Sequence, residues 1–222
     1  IRKITVSLRK YDILKVFITA SGGTSYSYYK HKVQRTKGNR KMILENKKIK
    51  QALEYIKEED PATTQDTLNM CQIPAPSYKE EKKAEYIRER FREIGLRDVR
   101  IDAVGNVLGI WPGTGEGPSV MLAAHTDTVF PEGTDLTIRK EGNRYYCPGI
   151  NDDTHAVAEM IAVAKAMIHA DLHTKGDLIF CANVCEEGLG DLRGVKYLFG
   201  YDNKASEECL EVDAFVSIDN QY

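Results

Sequence analysis

The sequence predicts a three-layer α/β/α sandwich with a mostly parallel central sheet. Segments with the composition of strands alternate with segments of helical periodicity, which is the pattern of a sheet covered by helices on both faces. The strand segments are also apolar at nearly every position, as in residues 120–124 and 178–182, which is expected of strands buried on both sides. A hydrophobic content of 42% in 222 residues is typical of a globular protein with a substantial core.

Helices are predicted before the first strands of this sheet. The apolar side of the first helix consists of Ile49, Leu53 and Ile56. A break at residues 61–66 and a short second helical piece follow. Ser77 and Glu80 have the spacing of a capping box at the start of a third helix. The apolar stripe of that helix and the glycine that ends it are Ala84, Ile87, Phe91, Ile94 and Gly95.

The remaining elements are mostly strands, each bounded by turn residues or separated by a helix. The first three strand segments are residues 99–111 with a turn at Gly105-Asn106, residues 118–127, and residues 136–147 with a turn at Gly142-Asn143. The last four elements are a helix from Asp153 to about Ala170, a strand at 177–184, a helix at 192–200 and a strand at 212–219. The glycine-rich stretch 113–117 leads into a strand, so we interpret it as a turn and not as a phosphate loop.

Charge is distributed unevenly along the chain. Residues 1–50 contain 14 Lys and Arg and two acids, a net charge of +12, so the other 172 residues carry −14 in a chain whose total is −2. We interpret residues 1–43 as a basic, flexible extension and residues 44–222 as the folded domain. A basic segment can also bind nucleic acid or a membrane surface, which is the alternative for this part of the chain. The expectation for the protein as a whole is that it binds neither.

Targeting and redox signals favour a cytoplasmic protein. Four charged residues interrupt the most apolar part of the N-terminal segment, which therefore fits neither a membrane span nor a signal peptide. Five cysteines, an odd number without a CxxC motif, do not form a disulfide framework. Cys181 and Cys185 lie four residues apart in an apolar segment, and we interpret them as buried thiols on one face of a strand rather than as a metal pair.

Ionisable side chains collect where strands of the predicted sheet end, which is where ligands bind in folds of this kind. They are His125 and Asp127 after one strand, Asp152 and Asp153 at the start of a helix, Glu186 and Glu187 after a second strand, and Asp219 after the last strand. A single acid has an ordinary explanation, such as a helix cap. Several carboxylates that converge repel one another unless a cation neutralises them. Imidazole and carboxylate ligands without a thiolate favour zinc, with Co²⁺ or Mn²⁺ as alternatives.

The residues themselves leave some roles open. His125 and Asp127 are two apart on a strand and point the same way, so both could be ligands, or Asp127 could hold the ring nitrogen that faces away from the metal. Strand alternation separates Glu186 from Glu187, so that one could bind metal while the other acts as a general base.

Three stretches resemble, in order and spacing, the motifs of the M20 family of zinc peptidases, which includes peptidase T, carboxypeptidase G and acetylornithine deacetylase. These stretches are "HTDTV", "PGINDDT" and "CEEGLGDLRGVKYLF", and "IPAPSYKE", "GNVLGIWPG" and "DAFVSID" are also similar. The resemblance covers about residues 45–222. It implies a zinc-exopeptidase fold and identifies residues 44–222 as a catalytic domain without the family's lid or dimerisation domain and C-terminal part.

The resemblance also implies two zinc ions that share Asp152. His125 and Asp219 match the other ligands of one zinc. Glu187 matches a ligand of the second, whose histidine comes from much later in the chains of the family. One zinc would therefore have a full ligand set within this chain.

Two further residues match the catalytic machinery of the family. Asp127 matches the carboxylate that orients the zinc-binding histidine, and Glu186 matches the general base. The implied reaction is hydrolysis of a peptide or N-acyl amide bond, in which zinc lowers the pKa of a water and Glu186 carries its proton to the leaving nitrogen. The expected substrate is a short peptide or an N-acyl amino acid, and a homodimer is expected through the lid domain. The alternative is a non-catalytic relative that keeps the fold as a binding module.

Two positions depart from the family pattern. Thr154 stands where many members have Lys, and His155 stands at a usual Gly. We interpret His155 as a solvated residue in the first turn of a helix rather than as a substrate contact.

Overall fold

The computed structural model describes residues 43–200 and 209–219, together with the backbone of two short strands, β1 (Thr5–Leu8) and β2 (Leu14–Phe17). β1 and β2 pair as an antiparallel hairpin within the segment interpreted above as a flexible extension. The rest of residues 1–42 lies outside the described residues, and the division at residue 43 stays a prediction.

A five-stranded mixed sheet forms the centre of the fold. Its strands are β3 (Arg97–Ile101), β4 (Val107–Trp111), β5 (Val120–His125), β8 (Leu178–Asn183) and β9 (Ala214–Ser217). They lie in the order β3-β4-β8-β5-β9. β5 is parallel to both β8 and β9, whereas β4 is antiparallel to β3 and β8, so four strands share one direction and β4 opposes them. A separate hairpin of β6 (Arg139–Glu141) and β7 (Arg144–Tyr146) stands where the sequence predicts it.

Helices cover both faces of this sheet, which confirms the three-layer α/β/α sandwich. They are α1 (Lys47–Glu58), α2 (Asp60–Cys71), α3 (Glu81–Glu93), α4 (His155–His169) and α5 (Arg193–Leu198). Residues of α2, α3 and α4 share one core cluster with one face of the sheet, and α5 packs on the opposite face. Strand β8 shows the division directly, because Phe180 belongs to the first cluster and Cys181 to the second.

The third helix packs as its periodicity predicts. Ala84, Ile87 and Phe91 are buried in the cluster that contains the sheet. Gly95 follows the helix with a φ of +88°, a conformation that glycine adopts without steric cost.

The first two helices differ in detail from the prediction. Leu53 is 45% exposed, and α1 instead packs on α4 through Ala52, Tyr55 and Ile56. The predicted break at residues 61–66 is the beginning of α2, which has Pro61 in its first turn. A proline is tolerated there because the first amides of a helix have no intrahelical acceptor.

The predicted capping box before α3 is wrong. The helix begins at Glu81 without a side-chain cap, and Ser77 donates its hydroxyl hydrogen to Asp127 instead. Tyr78 has a φ of +72°, so the chain turns sharply between Ser77 and the helix.

No helix among the described residues is both long and apolar enough to cross a membrane.

Candidate metal centre

His125 is the last residue of β5, and its ring is held on both sides. Its Nε2 lies 2.9 Å from Asp152 Oδ1. Its Nδ1 lies 3.0 Å from the backbone oxygen of Asp127 and 3.5 Å from the carboxylate Oδ1 of that residue. Of the two alternatives left open by the sequence, this geometry places Asp127 on the Nδ1 side, while Nε2 faces the carboxylates beyond the strand.

Asp127 is fully buried, and its carboxylate connects three parts of the site. It accepts hydrogen bonds from Ser77 Oγ at 2.7 Å and from the backbone amides of Glu186 at 2.9 Å and Glu187 at 3.1 Å. Burial alone would raise the pKa of Asp127, but the contacts with His125 and these donors lower it. The Asp127 carboxylate thus joins Ser77 and the backbone of Glu186 and Glu187 to the end of β5.

Glu186 and Glu187 lie in a loop, because β8 already ends at Asn183. Strand alternation therefore does not separate them, and the same applies to Cys181 and Cys185, since Cys185 has a φ of +53°. Both thiols are buried, as predicted.

Side chains from elsewhere in the fold hold the backbone of this loop. The amide of Val184 donates to Asn106 Oδ1 at 3.0 Å, and the amide of Cys185 donates to Glu80 Oε1 at 3.0 Å. With the two bonds to Asp127, four consecutive amides are bound by buried side chains. We call residues 184–187 the glutamate loop.

Two groups of side chains among the described residues are arranged to hold a metal ion, and both include His125. They are His125 with Asp152 and Asp219, and His125 with Glu186 and Glu187. The ligand atoms of each group lie within 4.8 Å of one another. The first group is the predicted ligand set of one zinc. Glu187 is close enough to Asp152 for that carboxylate to raise its pKa.

The electrostatics of the site favour a bound cation. Burial lowers the pKa of the His125 ring, but its contacts with Asp127 and Asp152 outweigh burial and raise the pKa to about 11. Burial raises the pKa of both Glu186 and Glu187, and the neighbouring carboxylates raise it further. Imidazole and carboxylate donors together fit zinc, whose positive charge would relieve this repulsion.

Asp152 and Asp153 lie in the turn at Ile150–Thr154, where the backbone of both is not helical. The helix α4 therefore begins at His155 and not at Asp153 as predicted, and neither acid caps it through its side chain. Asp153 is fully buried and accepts the backbone amide of His125 on Oδ2 at 3.0 Å. Its Oδ1 has no hydrogen-bond partner. Burial raises the pKa of Asp153 to about 8, although His125 opposes this.

A buried lysine lies behind this turn. Lys83 of α3 is only 2% exposed, and its Nζ donates to Thr154 Oγ1 at 3.3 Å. Burial lowers the pKa of Lys83 to about 8, although Cys71, Asp127, Cys147 and Asp153 favour its charged form.

Sequence reasoning missed several residues that support the site. Ser77, Glu80, Asn106 and Lys83 contact it from other elements and carry no metal-ligand spacing of their own. The signal available for Lys83 and Glu80 is their position on or beside the buried stripe of α3, where a charged residue requires a partner. His155 is half-buried and contacts Thr67 and Glu159.

Several known proteins are similar to this chain in sequence. Residues 121–221 match the model of peptidase family M20/M25/M40. A Pyrococcus abyssi protein named as a LysW-lysine/LysW-ornithine hydrolase is 35% identical over 120 residues, which cover 54% of this chain and 32% of that protein. The succinyl-diaminopimelate desuccinylase of Corynebacterium glutamicum is 30% identical over 132 residues, which cover 60% of this chain and 35% of the relative. The chain thus spans about a third of the length of these relatives.

Solved structures share the fold. The dipeptidase Dug1p of Saccharomyces cerevisiae superposes with a TM-score of 0.60 and 18% identity, over 78% of this chain and 41% of that one. A tripeptidase of Staphylococcus aureus superposes with a TM-score of 0.56 and 22% identity, over 72% of this chain and 43% of that one.

Proposed function

We propose that the chain belongs to peptidase family M20/M25/M40, whose model matches residues 121–221, and that it carries the metal centre of a hydrolase that cleaves peptide or N-acyl amide bonds. The observation that carries this proposal is the grouping of His125, Asp152 and Asp219, with all ligand atoms within 4.8 Å. One imidazole and two carboxylates form a ligand set that leaves a coordination position open, as catalytic zinc sites do.

The proposed metal is zinc, with a second ion shared through Asp152 and bound also by Glu187. Bound zinc would supply Lewis acidity, polarising the scissile carbonyl and lowering the pKa of water. The assignment of two ions is supported by the family resemblance and by the proximity of Glu187 to Asp152.

Asp127 and Glu186 have separate roles in the proposed reaction. Asp127 holds Nδ1 of His125, so that Nε2 faces the metal. Glu186 accepts a proton from water on its carboxylate and returns it to the leaving nitrogen. A pKa above the ordinary glutamate value suits this role, because a base is most effective when its pKa approaches the working pH. The proposed substrates are short peptides or N-acyl amino acids, since the relatives include proteins named as a desuccinylase and a tripeptidase.

Zinc binding tests the centre directly. Equilibrium dialysis against Zn²⁺ should give about one tightly held ion per chain, because only the first group has three ligands assigned to one ion. His125→Ala should abolish this binding. Asp127→Asn should weaken it less, by roughly ten- to a hundredfold, as changes to residues behind a ligand usually do.

His173→Ala is the matched control, because His173 contacts Pro112 and Asp171 and belongs to neither metal group. Equal zinc binding by the wild type and His125→Ala would contradict the proposed centre. Hydrolysis of tripeptides and N-acyl amino acids, assayed with zinc present, then tests the reaction.

A further inference from the structure

Lys83 is a buried charge that packing alone does not explain. Lysine is rarely fully buried unless it is paired, because removing an ammonium from water is costly. Lys83 is 2% exposed in the first turn of α3, where it begins the buried side that continues through Ala84 and Ile87. Its hydrogen bond runs across to Thr154 Oγ1, 71 residues further along the chain.

The segment that Lys83 contacts also contains a buried acid. Asp153 precedes Thr154, is fully buried, and has an oxygen without a hydrogen-bond partner. The charges of Asp153 and Asp127 both favour the ammonium form of Lys83, but burial outweighs them and lowers its pKa. The contact that ties Lys83 to this segment is therefore its hydrogen bond to Thr154.

This segment connects two metal ligands. Asp152 is the residue before Asp153, and the carboxylate of Asp153 accepts the backbone amide of His125. A shift of the turn at Ile150–Thr154 would therefore move the Asp152 carboxylate and release the backbone of His125 together.

We propose that Lys83 is a positioning residue for the metal centre, which holds Thr154 through a buried hydrogen bond so that Asp152 and His125 keep their places. This inference rests on the proposed function, since it requires a cation at the site. It assigns Lys83 no contact with substrate or metal.

The sign of the effect on zinc affinity separates this role from a simple charge effect. A positive charge near a cation site repels the cation, so removing Lys83 would tighten zinc binding if it acted by charge alone. Positioning predicts the opposite, because a turn that has lost its hydrogen bond to Lys83 no longer presents its ligands in register.

The experiment compares zinc dissociation constants, measured at pH 7 by competition with a chromogenic chelator, for the wild type, Lys83→Met and Lys82→Met. Lys83→Met keeps the length of the side chain and removes its charge. It should weaken zinc binding by roughly tenfold or more. Lys82→Met makes the same change on the exposed side of α3 and should leave the constant unchanged.

A double variant tests whether the hydrogen bond to Thr154 is the cause. Thr154→Val should weaken zinc binding as Lys83→Met does, and the two changes together should weaken it no further than Lys83→Met alone, because both remove the same bond. Additive losses would mean that the two residues act separately. Circular dichroism of each variant shows whether the folded fraction has changed.

The inference is overturned if Lys83→Met binds zinc as well as the wild type or more tightly, or if the losses of the two single variants add in the double variant. If Lys83→Met does not fold, Thr154→Val, which removes the acceptor of the Lys83 hydrogen bond, should weaken zinc binding and takes its place. A wild-type chain that binds no zinc would contradict the proposed function itself, whereas a wild type that binds zinc with an unaffected Lys83 variant contradicts only this inference.

Discussion

At the scale of single residues, the proposed site contains carboxylates in very similar surroundings to which we assign different roles. Glu186 and Glu187 are neighbours in sequence, both lie in a group with His125, and burial raises the pKa of each. Geometry alone gives them similar access to a cation. The family resemblance separates their roles, with Glu186 as the base and Glu187 as the ligand.

Substitution of each glutamate tests that separation. Glu186→Gln should leave zinc content unchanged and reduce turnover roughly a hundredfold or more, since proton transfer to a positioned base typically contributes that much. Glu187→Gln should instead lower zinc content. Metal analysis and steady-state kinetics on the same preparations measure zinc content and turnover. Loss of zinc from Glu186→Gln would mean that Glu186 is the metal ligand rather than the base.

At the scale of elements, apolar periodicity predicted strands and buried helix faces well, because burial is what it reports. The stripe of α3 and the strands at the centre of the sheet follow it closely. Leu53 is the exception, because it is exposed although the pattern predicts it to be buried. Ala52 beside it is small enough to let α1 approach α4 closely and packs against that helix instead. A hydrophobicity pattern gives no information about how closely two helices approach.

Alanine substitutions measure this difference between α1 and α3. Ile87 is fully buried, so Ile87→Ala should lower the free energy of unfolding by about 2–5 kcal/mol through lost burial and a cavity. Leu53→Ala, the control, should change it by less than about 0.5 kcal/mol, because Leu53 is 45% exposed. Urea denaturation measures the free energy of unfolding of each variant. Equal losses for the two variants would mean that Leu53 is packed in the core after all.

Predictions at the ends of elements were less successful, because there a polar side chain has several competing partners. Ser77 has the spacing of a helix cap, yet its hydroxyl binds Asp127, a partner 50 residues away. By contrast, the sequence predicts His125, Asp152 and Asp219 at one edge of the sheet, and the structure brings these three side chains together. The sequence contains no signal for Asn106, and for Lys83 it could indicate that a partner is needed but not which residue, 71 positions away, would provide it.

At the scale of the whole molecule, the buried lysine should leave a signature in the pH dependence of stability. The pKa of Lys83 falls from 10.5 to about 8 on folding, so between these values the unfolded chain binds more protons than the folded one. Stability therefore rises with pH across this window, and the cost of burying the ammonium is fully present below pH 8.

Comparison with Lys83→Met isolates this contribution. The free energy of unfolding of the wild type, minus that of the variant, should be constant below about pH 8 and increase by about 3 kcal/mol by pH 10.5. Urea denaturation at intervals of pH provides the measurement, and Lys82→Met should run parallel to the wild type. Parallel curves for Lys83→Met would mean that the ammonium keeps its ordinary affinity for protons in the fold.

The glutamate loop has a kinetic consequence. Amide hydrogens in loops usually exchange with solvent quickly, yet the amides of residues 184–187 all donate to buried side chains of Asn106, Glu80 and Asp127. Their exchange with deuterium should be as slow as that of core strands, because exchange requires an opening that also exposes these acceptors. Fast exchange at these positions would mean that the loop opens independently of the core. Slow exchange would make these four hydrogens a measure of how often the two glutamates are held in place, obtained without substrate or metal.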